Sequence, residues 1–275
     1  MAKRIMILGA GDAGTATALR LYRAGFKPFI VEENIPRDLY HRRNFCQAMF
    51  SGHKTVNGLT ARTLPGAIER GDVPSDISLK EFLKLQAANR EIPLITFDDL
   101  PQLKNEPIDV VFVAQNTLWP QAAPFIADET VRIGLHSLED ADSINFRIAD
   151  HPPYLGQVLY PFEEYYYLTS PLPATEKPAK YAVKAPLEGV FTATKNPDEA
   201  VLEKEEIGRI NEIPILAPVH GKISGILNSG LIVPQGAVFA EIDLHPKALP
   251  AAVIPEKYFN IAGGVLEAIL YHLHL

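Results

Sequence analysis

The chain has 275 residues, 47% of them hydrophobic and 21% charged, with a formal net charge of −7 and a single cysteine. Its length suits one large or two modest domains whose cores need no disulfide or metal staples, and one cysteine excludes an intrachain bridge and fits a reducing compartment, as it would equally fit a disulfide-free secreted protein. The acidic balance argues against nucleic-acid or membrane-surface binding, and neither a spanning apolar run nor a signal-peptide pattern is visible, so a cytoplasmic location is expected.

In chain order, residues 4–8 (R-I-M-I-L) are a short apolar run of the kind a buried parallel strand needs. They lead into Gly9-Ala10-Gly11-Asp12-Ala13-Gly14, a full G-x-G-x-x-G, and helical spacing follows over residues 15–24, with Gly25 as a C-cap. Residues 28–31 form a second strand that ends at Glu32. In such a unit Gly9 takes the tight turn, Gly11 lets the backbone approach a pyrophosphate, and Gly14 permits close helix–strand packing. The helix N-terminus, starting near Asp12 and Thr15, offers free N–H groups and partial positive charge. Glu32 stands about 20 residues beyond the glycines, where an acid commonly binds a ribose 2′-hydroxyl. Strand, loop, helix and acid together predict a Rossmann-like unit that binds NAD or another nucleotide. The bland alternatives are that the glycines serve packing alone and that Asp12 is a helix N-cap.

Arg37, His41, Arg42 and Arg43 then form a basic cluster, with Arg42 and Arg43 as candidates for a cofactor phosphate or simply a solvated loop. Cys46 reads as a buried structural thiol rather than a nucleophile. A hairpin is expected at Asn57-Gly58, a capping box at Ser78 and Glu81 opening a helix to about Asn89, and strands over residues 93–96, 109–114 and 131–135. Strands alternating with helices predict a doubly wound parallel sheet. Metal-ligand spacing is absent, and the paired acids Asp98-Asp99 read as a solvated edge. No catalytic residue declares itself. His136, after a strand, is the one candidate for acid–base work, against the reading that it is an ordinary loop histidine.

Residues 171–180 read as a stiff Pro-rich linker. Beyond it the chain repeats itself: Ala185-Pro186-x-x-Gly189 recurs as Ala217-Pro218-x-x-Gly221, and Val201 and Ile210 match Val233 and Ile242. Two such halves resemble biotinyl/lipoyl (barrel-sandwich hybrid) domains. The joint between them, residues 210–214, holds no lysine, so covalent biotin or lipoate is not expected. The division expected is a dinucleotide-binding domain over 1–170, the linker, and a β-rich module over 181–275 that carries a terminal helix started by Gly263-Gly264.

The ordered motifs also resemble the accessory-protein family of the selenium-dependent molybdenum hydroxylase system. They are the opening stretch 9–26, Glu32, Pro36, Arg42-Arg43, the stretch 52–61, Leu155-Gly156, residues 184–189, the second A-P-V-H-G ending at Gly221, and residues 263–270. What the resemblance implies is a role in maturing a molybdenum hydroxylase, by handling a nucleotide-bearing cofactor or its sulfur or selenium ligand, with the client enzyme or a cofactor-maturation protein as partner. Residues 134–139 stand where the family carries G-x-G-P-G-F, and residues 148–153 where it carries E-T-x-R-G-H. Two other functions fit the residues: an NAD-dependent oxidoreductase, and a diverged scaffold that binds no nucleotide and works through protein contacts.

Overall fold

The computed structural model describes residues 3–104, 106–137, 144–160, 162–163, 180–245 and 248–274. The expected linker, residues 171–180, lies outside them except for Lys180. Two compact units emerge, one comprising Met1–Pro36, Asn44–Ser170 and Pro255–Leu275, the other Arg37–Arg43 and Pro171–Ile254.

The first unit is built on a nine-stranded sheet among the described residues. Its strands are β1 (Arg4–Leu8), β2 (Lys27–Glu32), β3 (His53–Val56), β4 (Leu59–Thr63), β5 (Glu91–Thr96), β6 (Val110–Val113), β7 (Val131–Leu135), β8 (Phe146–Ile148) and β9 (Val158–Leu159). The order across the sheet is β3-β4-β5-β2-β1-β6-β7-β8-β9. All neighbours run parallel except the two edge pairs, β3 with β4 and β8 with β9. Counting β1, β2, β5, β6, β7 and β8 as six consecutive strands gives the doubly wound order 3-2-1-4-5-6, with the hairpin β3–β4 added beside the third. The central strands β1 and β6 are apolar without alternation because both faces of the sheet are covered. On one face, Met6, Leu8, Phe29, Val31, Val111 and Val113 pack with Phe82 and Leu83 of α4 (Leu79–Ala88) and with Leu100, Leu103 and Trp119.

The other face is covered by α1 (Asp12–Arg23), and α6 (Glu256–Leu273) packs along α1 in turn. Lying between sheet and helix, α1 is buried from Asp12 through Leu19, which explains its small-residue sequence. This corrects the assignment of the terminal helix to the 181–275 module. Its apolar residues Ile261, Ala262, Val265, Ala268 and Ile269 are buried within the first unit. Gly263 and Gly264 do not start the helix but lie inside it. A Cβ on Gly264 would fall 2.2 Å from the carbonyl oxygen of Gly156, so glycine there permits backbone contact. The Asn57-Gly58 turn has both residues at positive φ, the geometry that the hairpin demands. The Ser78–Glu81 capping box is present at the start of α4.

The second unit contains two four-stranded antiparallel sheets. Their strands are β10 (Lys180–Lys184), β11 (Gly189–Ala193), β12 (Ala200–Val201), β13 (Glu206–Ile210), β14 (Ile213–Leu216), β15 (Gly221–Ile226), β16 (Ile232–Val233) and β17 (Val238–Asp243). One sheet is β10-β17-β15-β12 and the other β14-β13-β11-β16. An offset of 32 residues, as Gly189 stands from Gly221, carries β10–β13 onto β14–β17 and exchanges the two sheets. Backbone bonds obey the same offset: Ala185 N donates to Ala237 O at 2.9 Å, and Ala217 N to Glu205 O at 2.8 Å. So do the left-handed turn residues, Asp198 and Lys204 in one half, Gly230 and Gly236 in the other. Phe191 and Phe239 from the two sheets meet at 4.9 Å in a shared core.

Residues 37–43 belong to this second unit because they bond to it. Ile226 N donates to Leu39 O at 2.9 Å, and the Tyr40 hydroxyl donates to Glu241 Oε1 at 2.7 Å. Burial alone would raise the Glu241 carboxyl, but Lys180, Tyr40 and Ser224 outweigh it and hold the group below its ordinary range.

The two helix glycines should respond oppositely to substitution. Gly264→Ala forces backbone apart and is expected to cost at least about 1–3 kcal/mol. Gly263→Ala meets only the far end of Arg20 at 3.9 Å and should stabilise the helix by roughly 0.5–1 kcal/mol. Urea unfolding of both variants decides; equal effects would refute the close-contact account.

Candidate functional site

The turn from β1 into α1 is held by two glycines with distinct duties. Gly9 has φ +103°, a conformation side chains rarely adopt. A Cβ on Gly14 would lie 1.8 Å from the Gly9 carbonyl oxygen, so the first turn of α1 closes directly onto the loop. Gly11 differs from both. Its φ of −67° and ψ of −167° are open to any residue, and a Cβ there would meet nothing within 4 Å. The folded chain itself places no demand for glycine at that position.

Gly11 is the N-cap residue of α1, and Asp12 follows as its first helical residue. This corrects the N-cap reading of Asp12. Its carboxylate instead sits in the first turn, on the favourable side of the helix dipole. Thr15 ties the loop together: its hydroxyl donates to Ala10 O at 2.8 Å and accepts from Phe45 N at 3.0 Å.

Glu32 does not project into solvent. It is 2% exposed, and its carboxylate accepts from Ala10 N at 2.7 Å and from Glu33 N at 2.8 Å. The Cys46 thiol reaches the same carboxylate at 3.4 Å, while Cys46 N donates to Ala10 O at 3.3 Å. Burial is the dominant influence and pushes the Glu32 carboxyl above its ordinary range, against the pull of those hydrogen bonds. Glu32 therefore braces the glycine loop, and the segment around Phe45 and Cys46 is fastened to the same loop. Sequence spacing pointed to Glu32 but carried no signal for its link to Cys46.

Arg42 and Arg43, offered as phosphate ligands, are engaged inside the second unit. Arg42 pairs with Asp198 at 3.1 Å, and the buried Arg43 guanidinium lies 3.9 Å over the Tyr40 ring. His41 Nδ1 is 3.1 Å from Ile226 O. Of the predicted site residues, the structure gathers Gly9, Gly11, Asp12, Gly14, Thr15 and Glu32 at one turn.

A cleft of about 530 Å³ opens beyond the carboxyl ends of β2, β4 and β5. Asn34, Gly52, Thr63, Gly66, Thr96 and Asp98 contribute to its wall. Gly52, at φ +75°, and Gly66 touch backbone to backbone, which brings Thr63 to cap the short helix α3 (Leu64–Glu69). Asp98 is exposed, as a solvated edge requires, and accepts from Asn34 Nδ2 at 2.7 Å, whereas the half-buried Asp99 caps Thr96 N at 2.8 Å. Sequence analysis missed this cleft. Its available signals were the Thr-Leu-Pro-Gly helix start at Thr63 and the two glycines. The glycine loop and the cleft both lie at carboxyl strand ends, the side on which doubly wound sheets bind their ligands. Among the described residues no cluster of three or more metal-ligating side chains exists, and no helix is long and apolar enough to cross a membrane.

A buried carboxyl with a raised folded-state pKa favours folding while protonated, and that contribution is lost as pH rises through the folded value. The stability difference between wild type and Glu32→Gln should therefore shift against the wild type as pH climbs from below about 4.5. Denaturant midpoints across pH 4–8 measure this. A difference that stays flat would contradict the buried, ionisation-averse carboxyl.

No known protein-family profile matches the chain. The chain is 29% identical over 280 residues to the uncharacterized protein YqeB of Escherichia coli, an alignment covering 98% of this chain and 48% of YqeB. It thus spans about half the length of that curated relative. Among solved structures, glycerol-3-phosphate dehydrogenase from Coxiella burnetii matches 48% of this chain and 32% of its own at 20% identity, with a TM-score of 0.26. Prephenate dehydrogenase from A. aeolicus matches 49% and 33% at 12% identity, with a TM-score of 0.24. The Rossmann-like description of the first unit rests on its own strand order and glycine turn.

Proposed function

We propose that the first unit binds a nucleotide, NAD or a nucleotide-bearing cofactor, at the N-terminus of α1. The observation that carries this is Gly11. Gly9 and Gly14 are explained by backbone conformation and packing, whereas Gly11 has an ordinary conformation and empty space around it. Close approach of a ligand backbone is the remaining physical reason for glycine there. The first-turn N–H groups of α1 and the helix dipole supply the attraction for phosphate. The cleft beyond β2 and β5 has room for a nucleoside, with Asp98 and Thr96 able to bond hydroxyls.

In this reading the protein is an accessory factor in maturing a molybdenum hydroxylase, handling a nucleotide-bearing cofactor for a client enzyme or maturation protein. Support comes from the order of motifs at both ends of the chain. The second unit fits as a barrel-sandwich-hybrid-like module, supported by its 32-residue repeat and exchanged sheets. The turn between its halves, at Asn211 and Glu212, offers no lysine, so the module serves docking or packing rather than carriage of biotin or lipoate. The competing oxidoreductase reading shares the nucleotide site and needs an acid–base group in addition.

Titration with NADH, followed by nicotinamide fluorescence, tests the loop. Wild type should bind saturably. Gly11→Val should keep its unfolding temperature and lose at least tenfold in affinity, while Gly14→Ala should fail at the level of folding. Competition by cytidine nucleotides would favour cofactor handling, and competition by adenine nucleotides alone would favour the oxidoreductase. Absence of NADH binding by wild type, or full binding by Gly11→Val, refutes a working NADH site on this loop.

A further inference from the structure

At the carboxyl ends of β7 and β8 the chain assembles a polar group that the nucleotide site does not use. β7 and β8 pair in parallel with Gly134 opposite Arg147 and Leu135 opposite Ile148. His136 N extends the ladder by donating to Ile148 O at 2.8 Å, which brings residues 136–137 beside residues 149–151. The second segment is itself clamped: Ala149 N donates to Gln157 O at 2.9 Å, and Gly156 N to Ala149 O at 2.7 Å. On this frame the Ser137 hydroxyl donates to Asp150 Oδ2, and His151 Nδ1 lies 3.3 Å from Asp150 Oδ1. The His136 and His151 rings stand 5.7 Å apart at 36°.

This arrangement has the parts of an oriented base. The Asp150 side chain is largely buried, and that of His151 is 41% exposed. A carboxylate can only accept, so this contact calls for a proton on Nδ1 of His151, which in the neutral ring makes Nε2 the acceptor. Asp150 also lies where it stabilises the imidazolium that forms when Nε2 takes a proton. Among the described residues, the charged and titratable groups that act on His136 are Arg147, His151 and Asp150. Burial first, then the charges of Arg147 and His151, hold His136 below the usual imidazole range.

Topology says what such a base would face. In the doubly wound order a dinucleotide lies across the switch point, here between β1 and β6, with one mononucleotide over each half of the sheet. The glycine loop and the 530 Å³ cleft belong to the half made of β1, β2 and β5, extended by β4. The Ser137–Asp150–His151 group belongs to the other half, at the ends of β7 and β8. We infer that His151, positioned by Asp150, is the proton acceptor for a hydroxyl-bearing substrate oxidised by a nicotinamide dinucleotide held on the glycine loop. The hydroxyl proton passes to His151 Nε2 as the carbinol hydrogen leaves with its electron pair to the nicotinamide, and the substrate becomes a carbonyl compound. This inference rests on the nucleotide reading of Gly11, not on the accessory role, and supplies the acid–base group that the oxidoreductase reading needs.

Histidine side-chain NMR on the full chain separates the two. NAD⁺ and ADP-ribose, which lacks the nicotinamide, should both displace NADH. Only NAD⁺ should move the ring resonances of His151 and His136. Wild-type His151 should show the Nδ1–H tautomer, and Asp150→Ala should lose it while retaining ADP-ribose binding, a result that mere structural support by Asp150 does not predict. If both ligands bind and the His151 ring is unmoved, or the tautomer survives Asp150→Ala, the proton-acceptor role is overturned and the nucleotide site stands. If neither ligand binds, the nucleotide reading falls and this one with it.

Discussion

The contact on which the first unit depends is between the backbone of Gly9 and the space where Gly14 lacks a side chain. With a Cβ 1.8 Å from the Gly9 carbonyl, α1 could not descend onto the end of β1. Its descent lets α1 cover the sheet, and α6 in turn packs along α1. The same economy of side chains recurs where Gly264 meets Gly156 and where Gly52 meets Gly66. Each pair trades the conformational freedom of glycine for a backbone approach no other residue allows.

The loop that results is stiffened by a group that is costly to bury. Glu32 places a carboxylate beneath Ala10 and Glu33, and its hydrogen bonds satisfy N–H groups that burial would otherwise leave unpaired. The desolvation this entails is seen in its raised pKa. The partial positive charge at the start of α1 is met by the Asp12 carboxylate in its first turn, while Glu32 is turned to the Ala10 and Glu33 N–H groups.

The second unit solves a different problem, closing two small sheets on one another without a large core. It does so by using one pattern twice, so that each sheet takes strands from both halves. The repeat breaks where the segment 37–43 lies against one half. Glu241, tied to Lys180, Tyr40 and Ser224, stands where the other half has Arg209. Gly225, against which Tyr40 lies, stands where the other half has Ala193. The segment 37–43 is thus specific to one of two otherwise equivalent faces.

By itself the sequence determined the Rossmann-like opening, the strands β1, β2, β6 and β7, the Asn57-Gly58 hairpin, the Ser78 capping box and the repeat around Ala185 and Ala217. These are local signals: unbroken apolar runs, glycines at fixed spacing and side chains that bond their own neighbours. Six of the eight residues proposed for the nucleotide site meet at one turn because they are close in sequence or joined by parallel pairing of β1 with β2. Tertiary structure decided the rest. It engaged Arg42 and Arg43 with Asp198 and Tyr40, and it sent α6 back to α1. It also joined Cys46 to Glu32 and set Ser137 and His136 beside Asp150 and His151. Such meetings depend on which burial and which ion pair win over long separations, and no short-range pattern encodes that competition.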